Sequence, residues 1–273
     1  MPDGAPLTIL PLRFFTGRRS IWVMIHPPDI LELAGNSLVP IPDGVLKAAH
    51  SLLSLPTAAG GDDTWLLEHS ERVMRLALLL AELPELRADP PDPTALAAAA
   101  LFHDAGLAIQ VRDGTLPLAL LLTRPTSDSQ RELGASELTE RCGALLAVET
   151  LGLACEAIRQ CNQRGSTLPE AQVLADAENL DEIGIIYVLR QFRQYQAEGR
   201  PLRQLVQNWV RQQQYRYWEA RIERLRFRVS RQLAQQRLTE IERWMKLIET
   251  EAQAADMHAL LTGMGLMLPP PAR

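Results

Sequence analysis

The segment TALAAAALFHDAGLA at residues 94–108 sets the fold class of the chain. Leu96, Ala99 and Ala100 recur at helical spacing and lead to His103, and Asp104 follows at once. An apolar stripe of this kind predicts a buried helix and directs His103 towards the core. The predicted helix therefore carries two polar residues, His103 and Asp104, at the end of its apolar face.

The same helical period continues through most of the chain from residue 64 onward, between Pro and Gly breaks. No stretch of alternating apolar and polar residues competes with it, so the predicted fold class is all-α, a helical bundle. The helices are expected at residues 64–83, 94–108, 130–148, 150–162, 170–196, 201–224 and 228–256.

Both ends of the chain are predicted to lie outside the main domain, which we place at residues 61–256. Residues 1–60 contain eight prolines, which disfavour long regular elements. They are expected to form an irregular N-terminal extension with one strand-like stretch at 20–25. Residues 257–273 end in three prolines and are predicted to form a C-terminal tail that is not helical.

Composition narrows the class of protein. The 273 residues are 47% hydrophobic and 22% charged, enough to bury a large core, which excludes intrinsic disorder. The apolar runs fall short of the roughly 20 residues of a membrane span, and the N-terminus lacks the order of a signal peptide. Three cysteines without C-x-x-C spacing argue against a disulfide scaffold, so a cytoplasmic protein is expected.

Two other helices also carry polar side chains on their apolar stripes. On the first predicted helix, His69 fills a place in the stripe between Leu66 and Val73. On a later helix, Asp176 lies three residues after Val173, on the face expected to be buried. Burial of a carboxylate or an unpaired imidazole costs several kcal/mol, so both groups need compensation.

These side chains suggest a metal site. Two aspartates and two neutral histidines sum to a charge of −2, which one divalent cation would cancel. Imidazole and carboxylate ligands suit Mn²⁺, Fe²⁺, Zn²⁺ or, less readily, Mg²⁺. Four ligands from three helices would leave positions for water or substrate. For each histidine by itself, the alternative is a core residue whose hydrogen bonds are satisfied within the protein. The set comprises His69, His103, Asp104 and Asp176.

The order of these motifs resembles the H…HD…D signature of the HD-domain superfamily of metal-dependent phosphohydrolases, and within it small bacterial HD phosphohydrolases. A bare HD dipeptide has little specificity, but here two further motifs accompany it in order. The similarity covers residues 64–250, and its supporting segments are EHSERV at 68–73, ALFHDAG at 100–106 and LADAENLDEIG at 174–184.

The resemblance implies an all-helical fold that binds one divalent metal and hydrolyses a phosphate ester or anhydride. The expected substrate is a nucleotide or another small phosphorylated compound, and the nucleophile is a water activated by the metal. The implied ligands are His69, His103, Asp104 and Asp176.

Three residues are assigned roles beyond or beside ligation. Asp104 is expected to orient the attacking water, as a catalytic residue. Asp181 lies about 140° round the helix from Asp176, so it is expected to support the ligands or to transfer protons. Arg72, one turn after His69, is expected to bind a substrate phosphate, or else to be a surface or helix-pairing residue.

The chain departs from the family pattern in one respect. Many HD enzymes have one or two further histidines between the HD dipeptide and the last aspartate, and this chain has none between residues 104 and 176. Cys161 or Asn162 would stand in their place. This argues against a two-metal site and leaves an alternative function, a catalytically weak or inactive HD module that binds metal or nucleotide for regulation.

An excess of arginine marks the C-terminal third. Residues 190–237 hold twelve Arg, three Glu and neither Lys nor Asp, a local charge of +9. The excess indicates an anionic substrate or, alternatively, a solvated helix surface. A nucleic-acid-binding or scaffold protein is a third hypothesis, which the lack of an aromatic-rich platform for base stacking disfavours. The last predicted helix has a broad apolar face, expected to dock on its own domain or on a second copy in a homodimer.

Overall fold

The computed structural model describes residues 14–16, 19–21 and 41–266. The chain divides into two compact units, Met1–Val39 and Pro40–Arg273.

In the first unit, the described residues form two antiparallel strands, β1 (Phe14–Thr16) and β2 (Arg19–Ile21). Strand β2 overlaps the first two residues of the strand-like stretch predicted at 20–25. The other four residues of that stretch lie outside the described part of the chain.

The second unit is helical, which confirms the predicted all-α class for the part of the chain that the structure describes. The exception there is a short antiparallel hairpin of two strands with two residues each, β3 (Leu55–Pro56) and β4 (Asp62–Asp63). The helices are α1 (Asp43–Leu53), α2 (Trp65–Ala81), α3 (Pro93–Phe102), α4 (Ala105–Arg112), α5 (Asp128–Cys142), α6 (Val148–Gln160), α7 (Pro169–Asp181), α8 (Ile185–Ala197), α9 (Leu202–Gln214), α10 (Tyr217–Arg224), α11 (Arg228–Ala252) and α12 (Ala255–Gly263).

Helix α1 corrects the expectation that residues 1–60 lack long regular elements. Its stretch lies between Pro42 and Pro56 and contains no proline. Its buried side chains, Val45, Ala49 and Leu52, recur at helical spacing, and they pack against α2, α3, α4 and α5. The density of prolines in the wider segment concealed this local period.

Helix α12 likewise corrects the predicted non-helical tail at 257–273, because its residues to Gly263 are helical. It follows α11 after Ala254, which has a left-handed backbone. The three terminal prolines lie outside the described residues.

Two long predicted helices are each divided by a special backbone conformation. The helix predicted at 170–196 breaks at Gly184, whose φ of 144° is accessible to glycine and rarely to other residues. The helix predicted at 201–224 breaks at Arg216, which has a φ of 51°. These breaks separate α7 from α8 and α9 from α10.

The core is built around α3, in which every residue from Ala95 to Phe102 is buried. Helices α2, α6 and α7 surround it. A second cluster joins α8, α9 and α11 through Val188, Leu205 and Ile241. The apolar face of α11 therefore docks on its own domain, one of the two outcomes expected from the sequence.

The stretch Pro93–Arg112 is long and apolar enough to cross a membrane by those two criteria alone, and 78% of its most apolar window is buried inside the protein. That burial is typical of a core helix. The stretch Pro93–Arg112 comprises α3, α4 and the break between them.

Candidate metal centre

The HD dipeptide lies where α3 ends and α4 begins. His103 keeps a helical backbone, whereas Asp104 has φ −108° and ψ 13°, which interrupts the helix predicted at 94–108. Glycines allow α5 to pack directly on this break. A Cβ on Gly134 would lie 2.6 Å from the carbonyl oxygen of Phe102, and a Cβ on Gly106 would lie 2.2 Å from that of Gln130.

Three of the four predicted ligands converge at this break. His69 Nε2 lies 3.2 Å from His103 Nε2 and 3.4 Å from Asp104 Oδ2, and His103 Nε2 lies 3.6 Å from the same oxygen. The centre of such a triangle is about 2.0 Å from each corner, which matches the roughly 2.0–2.2 Å of metal bonds to nitrogen and oxygen. All three residues are at most 2% exposed.

The second nitrogen of each imidazole fixes its tautomer. His69 Nδ1 lies 2.7 Å from Asp181 Oδ2, and His103 Nδ1 lies 2.7 Å from the carbonyl oxygen of Ala100. Both partners accept only, so both Nδ1 atoms carry hydrogen and the two Nε2 lone pairs face each other when the rings are neutral. Lone pairs this close need a proton or a metal ion between them, and an acceptor for the Nδ1–H group is the usual support of a metal-binding histidine.

The electrostatics of the cluster favour a cation. Burial by itself lowers the pKa of His69, but hydrogen bonds to Asp104 and Asp181 outweigh it and raise the pKa. Burial of Asp104 would raise its pKa, but the neighbouring His103, His69 and Arg131 hold it well below its ordinary value. For His103, burial prevails over the attraction of Asp104 and lowers the pKa. Asp104 is therefore ionised beside two imidazoles.

Asp181 supports the centre through His69. Besides His69, its carboxylate accepts hydrogen bonds from Arg72 Nε at 2.7 Å and from Arg190 Nη2 at 2.7 Å. Burial would raise the pKa of Asp181, but His69, Arg72 and Arg190 lower it. The guanidinium of Arg72, expected to bind a substrate phosphate, is thus bound to Asp181 instead.

The structure does not bring Asp176 to the cluster. Its Oδ1 accepts the backbone N–H of Arg226 at 2.8 Å, and its Oδ2 accepts that of Phe227 at 2.9 Å. These are the residues immediately before α11, so Asp176 ties α7 to the start of that helix. The prediction of a buried carboxylate was right, but its compensation comes from the backbone rather than from the cluster.

Sequence reasoning missed the groups beside Asp104. Thr126 Oγ1 donates to Asp104 Oδ1 at 2.7 Å, and Arg131 Nη1 lies 3.6 Å from the same oxygen. Arg131 is 1% exposed and pairs with Glu178 at 2.5 Å and with Asn162 Oδ1 at 3.4 Å. A buried arginine gives no sequence signal of its own, because its neighbours on α5 are mostly polar.

These arginines revise the charge argument for a metal. Asp104, Asp176, Asp181 and Glu178 are offset by three guanidinium groups, those of Arg72, Arg131 and Arg190. The four carboxylates and three guanidinium groups together leave a net charge of −1, whereas the sequence argument had assumed −2. The case for a metal therefore rests on the facing lone pairs and the triangle, not on net charge.

Two clefts flank the centre without reaching its three candidate ligands. One, of about 310 Å³, is lined by Arg72, Asp181 and Arg237. The other, of about 560 Å³, is lined by Asn162 and Glu178 and by four arginines, and we call it the arginine cleft. Each cleft touches a group that supports the centre, whereas His69, His103 and Asp104 line neither of them.

Comparison with known families agrees with this arrangement. The model of the HD domain family matches residues 66–183, which include both histidines of the centre and Asp104. The chain contains an HD domain. The resemblance expected from the motifs is thereby confirmed, with the HD dipeptide of the domain at the break between α3 and α4.

Solved structures match the chain at low sequence identity. A predicted HD superfamily hydrolase from an uncultured Thermotogales bacterium is 19% identical with a TM-score of 0.50, over 81% of this chain and 98% of that one. Bacillus subtilis YpgQ in complex with ADP is 18% identical with a TM-score of 0.48, over 77% and 95%. A Lactobacillus plantarum protein is 17% identical with a TM-score of 0.48, over 78% and 96%. No curated protein matches the chain.

The structure shows the surroundings of Asn162 and Cys161, the residues expected in place of the further histidines of other HD enzymes. Asn162 donates through Nδ2 to the carbonyl oxygen of Thr126 at 3.1 Å, which places it beside the groups around Asp104. Cys161 is buried next to it, and burial raises the pKa of its thiol to about 12. Neither side chain belongs to the three-residue ligand cluster.

Proposed function

We propose that the protein is a metal-dependent phosphohydrolase that acts on a small phosphorylated substrate. The observation that carries the proposal is the triangle of His69 Nε2, His103 Nε2 and Asp104 Oδ2, whose size fits one divalent cation. The HD superfamily hydrolase fold supports the reaction class. The donor set suits Mn²⁺, Fe²⁺ or Zn²⁺ and, less readily, Mg²⁺.

The residues around this centre have different roles in the proposed reaction. A bound divalent ion would polarise a phosphoryl oxygen and lower the pKa of a neighbouring water. Asp181 and the carbonyl of Ala100 hold the two imidazoles with Nε2 pointing inward. Thr126 holds Asp104 Oδ1, which leaves Oδ2 directed at the histidines. Asp104 is then the residue that orients the attacking water.

The substrate class that we favour is a nucleotide or a similarly small phosphate compound. Arginines line both clefts beside the centre, and a guanidinium matches phosphate in shape and charge. We place the protein in the cytoplasm as a homodimer or monomer without a membrane or nucleic-acid partner. The three cysteines are free and buried, which suits a reducing compartment.

Metal content and hydrolysis test the proposal together. The purified protein is stripped with chelator, reloaded with Mn²⁺, Mg²⁺ or Zn²⁺, and assayed on phosphomonoesters and on nucleoside di- and triphosphates. We expect metal-dependent release of phosphate or pyrophosphate that is abolished in His103→Ala and Asp104→Ala. Hydrolysis by these variants at the rate of the parent would contradict the proposal.

A second candidate function is a non-catalytic HD module that binds metal or nucleotide for regulation. The observation in its favour is the burial of the ligand set, onto which neither flanking cleft opens. It predicts metal binding with a measurable affinity and no turnover of any substrate in the same panel. Turnover that disappears with the ligand variants would exclude it.

A further inference from the structure

The arginine cleft carries an uncompensated positive charge. Four of its lining residues are Arg164, Arg221, Arg224 and Arg226, and two are glutamates. Both glutamates are already paired, Glu178 with Arg131 and Glu182 with Arg221. Among the described residues, no carboxylate pairs with Arg164, Arg224 or Arg226 within 4 Å, so three guanidinium charges remain.

Hydrogen bonds fix the Arg226 side of the cleft. Asp176 fixes the backbone of Arg226 from inside the protein. The Arg226 side chain donates to the carbonyl oxygen of Gln163 at 2.9 Å, which joins two rims of the cleft. Arg231 Nη1 donates to the carbonyl oxygens of Leu225 and Arg226 at 2.6 and 3.0 Å. Arg226 is thus positioned before any ligand arrives.

Size and charge together indicate the ligand. A volume of about 560 Å³ is within the range of small-molecule sites. A single phosphate group carries about −1.5 to −2 charges at neutral pH, so two linked phosphates are needed to offset three guanidinium groups. The backbone N–H groups before α11 are taken by Asp176, so the arginine side chains themselves must bind the anion.

We propose that the arginine cleft is a binding site for a phosphoanhydride, a small molecule with two or more linked phosphates, held by Arg164, Arg224 and Arg226. The site lies beside the metal centre, since Glu178 in its wall is joined to Asp104 by the single side chain of Arg131. The inference rests on the proposed function for its substrate class, which it narrows to linked phosphates; because its test needs neither a bound metal nor hydrolysis, the two can fail separately.

Calorimetric titration of the full-length, chelator-treated protein with pyrophosphate tests this site. We expect saturable binding of one pyrophosphate per chain, with orthophosphate at least tenfold weaker. The variants Arg164→Gln and Arg224→Gln each weaken binding at least fivefold, and Arg224→Lys weakens it less, because it keeps the charge but loses the planar fork. Both residues are exposed, so their replacement leaves the fold intact.

The matched control is Arg203→Gln, an exposed arginine on α9 outside the cleft, which should bind pyrophosphate like the parent. Equal weakening by Arg203→Gln would reduce the effect to general surface charge and overturn the site. Binding that appears only after Mn²⁺ is added would assign pyrophosphate to the metal centre and also overturn it. A single-stranded oligonucleotide that outcompetes pyrophosphate through the same arginines would replace the small-molecule ligand by nucleic acid.

Discussion

His69 donates from Nδ1 to Oδ2 of Asp181 over 2.7 Å, and the same carboxylate accepts hydrogen bonds from Arg72 and Arg190. The two residues are 112 positions apart, on α2 and α7. Their bond leaves His69 Nε2 as an acceptor that faces His103 and Asp104. Asp181 therefore acts on the metal centre through the orientation and basicity of one imidazole.

Replacement of Asp181 should weaken metal binding without removing a ligand. We expect Asp181→Asn to lower Mn²⁺ affinity about 10–100-fold, because the charge that orients and polarises His69 is lost. Calorimetry on the chelator-treated protein measures the change. Glu68→Gln is the control, since Glu68 is exposed and lies 4.0 Å from the other side of Arg72. Parent-like affinity in Asp181→Asn would show that the bond does not tune the site.

Asp176 should behave as a structural residue. In Asp176→Ala, the backbone N–H groups of Arg226 and Phe227 lose their acceptors, so the free energy of unfolding should fall by about 1–3 kcal/mol. Mn²⁺ affinity should stay within about twofold of the parent, because Asp176 lies outside the ligand set. Urea unfolding and calorimetry on the same sample separate the two effects. A normal unfolding midpoint with metal binding lost would make Asp176 a ligand, as the sequence had suggested.

Arg131 should stabilise the metal-free protein at the expense of metal affinity. Arg131→Met leaves the buried charges of Asp104 and Glu178 unpaired, which should cost about 3–5 kcal/mol of stability. The same loss of positive charge should make Mn²⁺ bind more tightly and raise the melting temperature more than in the parent. Arg159→Met, which breaks only exposed pairs with Glu132 and Glu156, should cost about 1 kcal/mol or less. If Mn²⁺ stabilises Arg131→Met no more than the parent, the two charges do not compete.

The contact of α5 with the HD break can be tested with glycines. Gly134→Ala should destabilise the fold by more than about 1 kcal/mol, because its Cβ would lie 2.6 Å from a carbonyl oxygen that cannot move freely. Gly152→Ala, at an exposed position of α6 where a Cβ would meet no atom within 4 Å, should be neutral or gain up to about 1 kcal/mol from helix propensity. Thermal unfolding of both variants gives the comparison. Equal stabilities would refute the close approach.

The buried thiol of Cys161 gives a pH dependence. Burial raises its pKa from 9.0 to about 12, so in the folded protein it stays protonated at pH values where the unfolded chain ionises. Protons released on unfolding make stability fall as pH rises from about 9 to 12, by up to about 1.4 kcal/mol per pH unit. Cys161→Ala should flatten urea-derived stability between pH 8 and 10.5. An unchanged slope in the variant would place the titration elsewhere.

The sequence predicted the helical class, and three of the four residues that it indicated as ligands lie together in the structure. His69 and His103 were found because each interrupts an apolar stripe, and a stripe reports which face is buried. Burial says nothing about the partner that a polar group meets. Asp176 and Asp181 are both buried on α7, and only the fold shows that one meets backbone fifty residues away while the other meets His69.

The burial of two arginines also could not be predicted from the sequence. Arg131 and Arg190 are 1% and 3% exposed, although arginine is usually a surface residue. Their burial depends on carboxylates from distant helices, Glu178 and Asp181, so no local pattern announces it. The charge excess at 190–237 was visible from the sequence, but its division into buried pairs and a cleft was not.

Anomalous diffraction from crystals of the protein grown with Mn²⁺ would locate the bound ion. We expect one strong peak about 2.0–2.3 Å from His69 Nε2, His103 Nε2 and Asp104 Oδ2, with Asp176 still bound to the backbone before α11. A peak elsewhere, or intact facing imidazoles with no manganese at saturating concentration, would contradict the proposed metal centre.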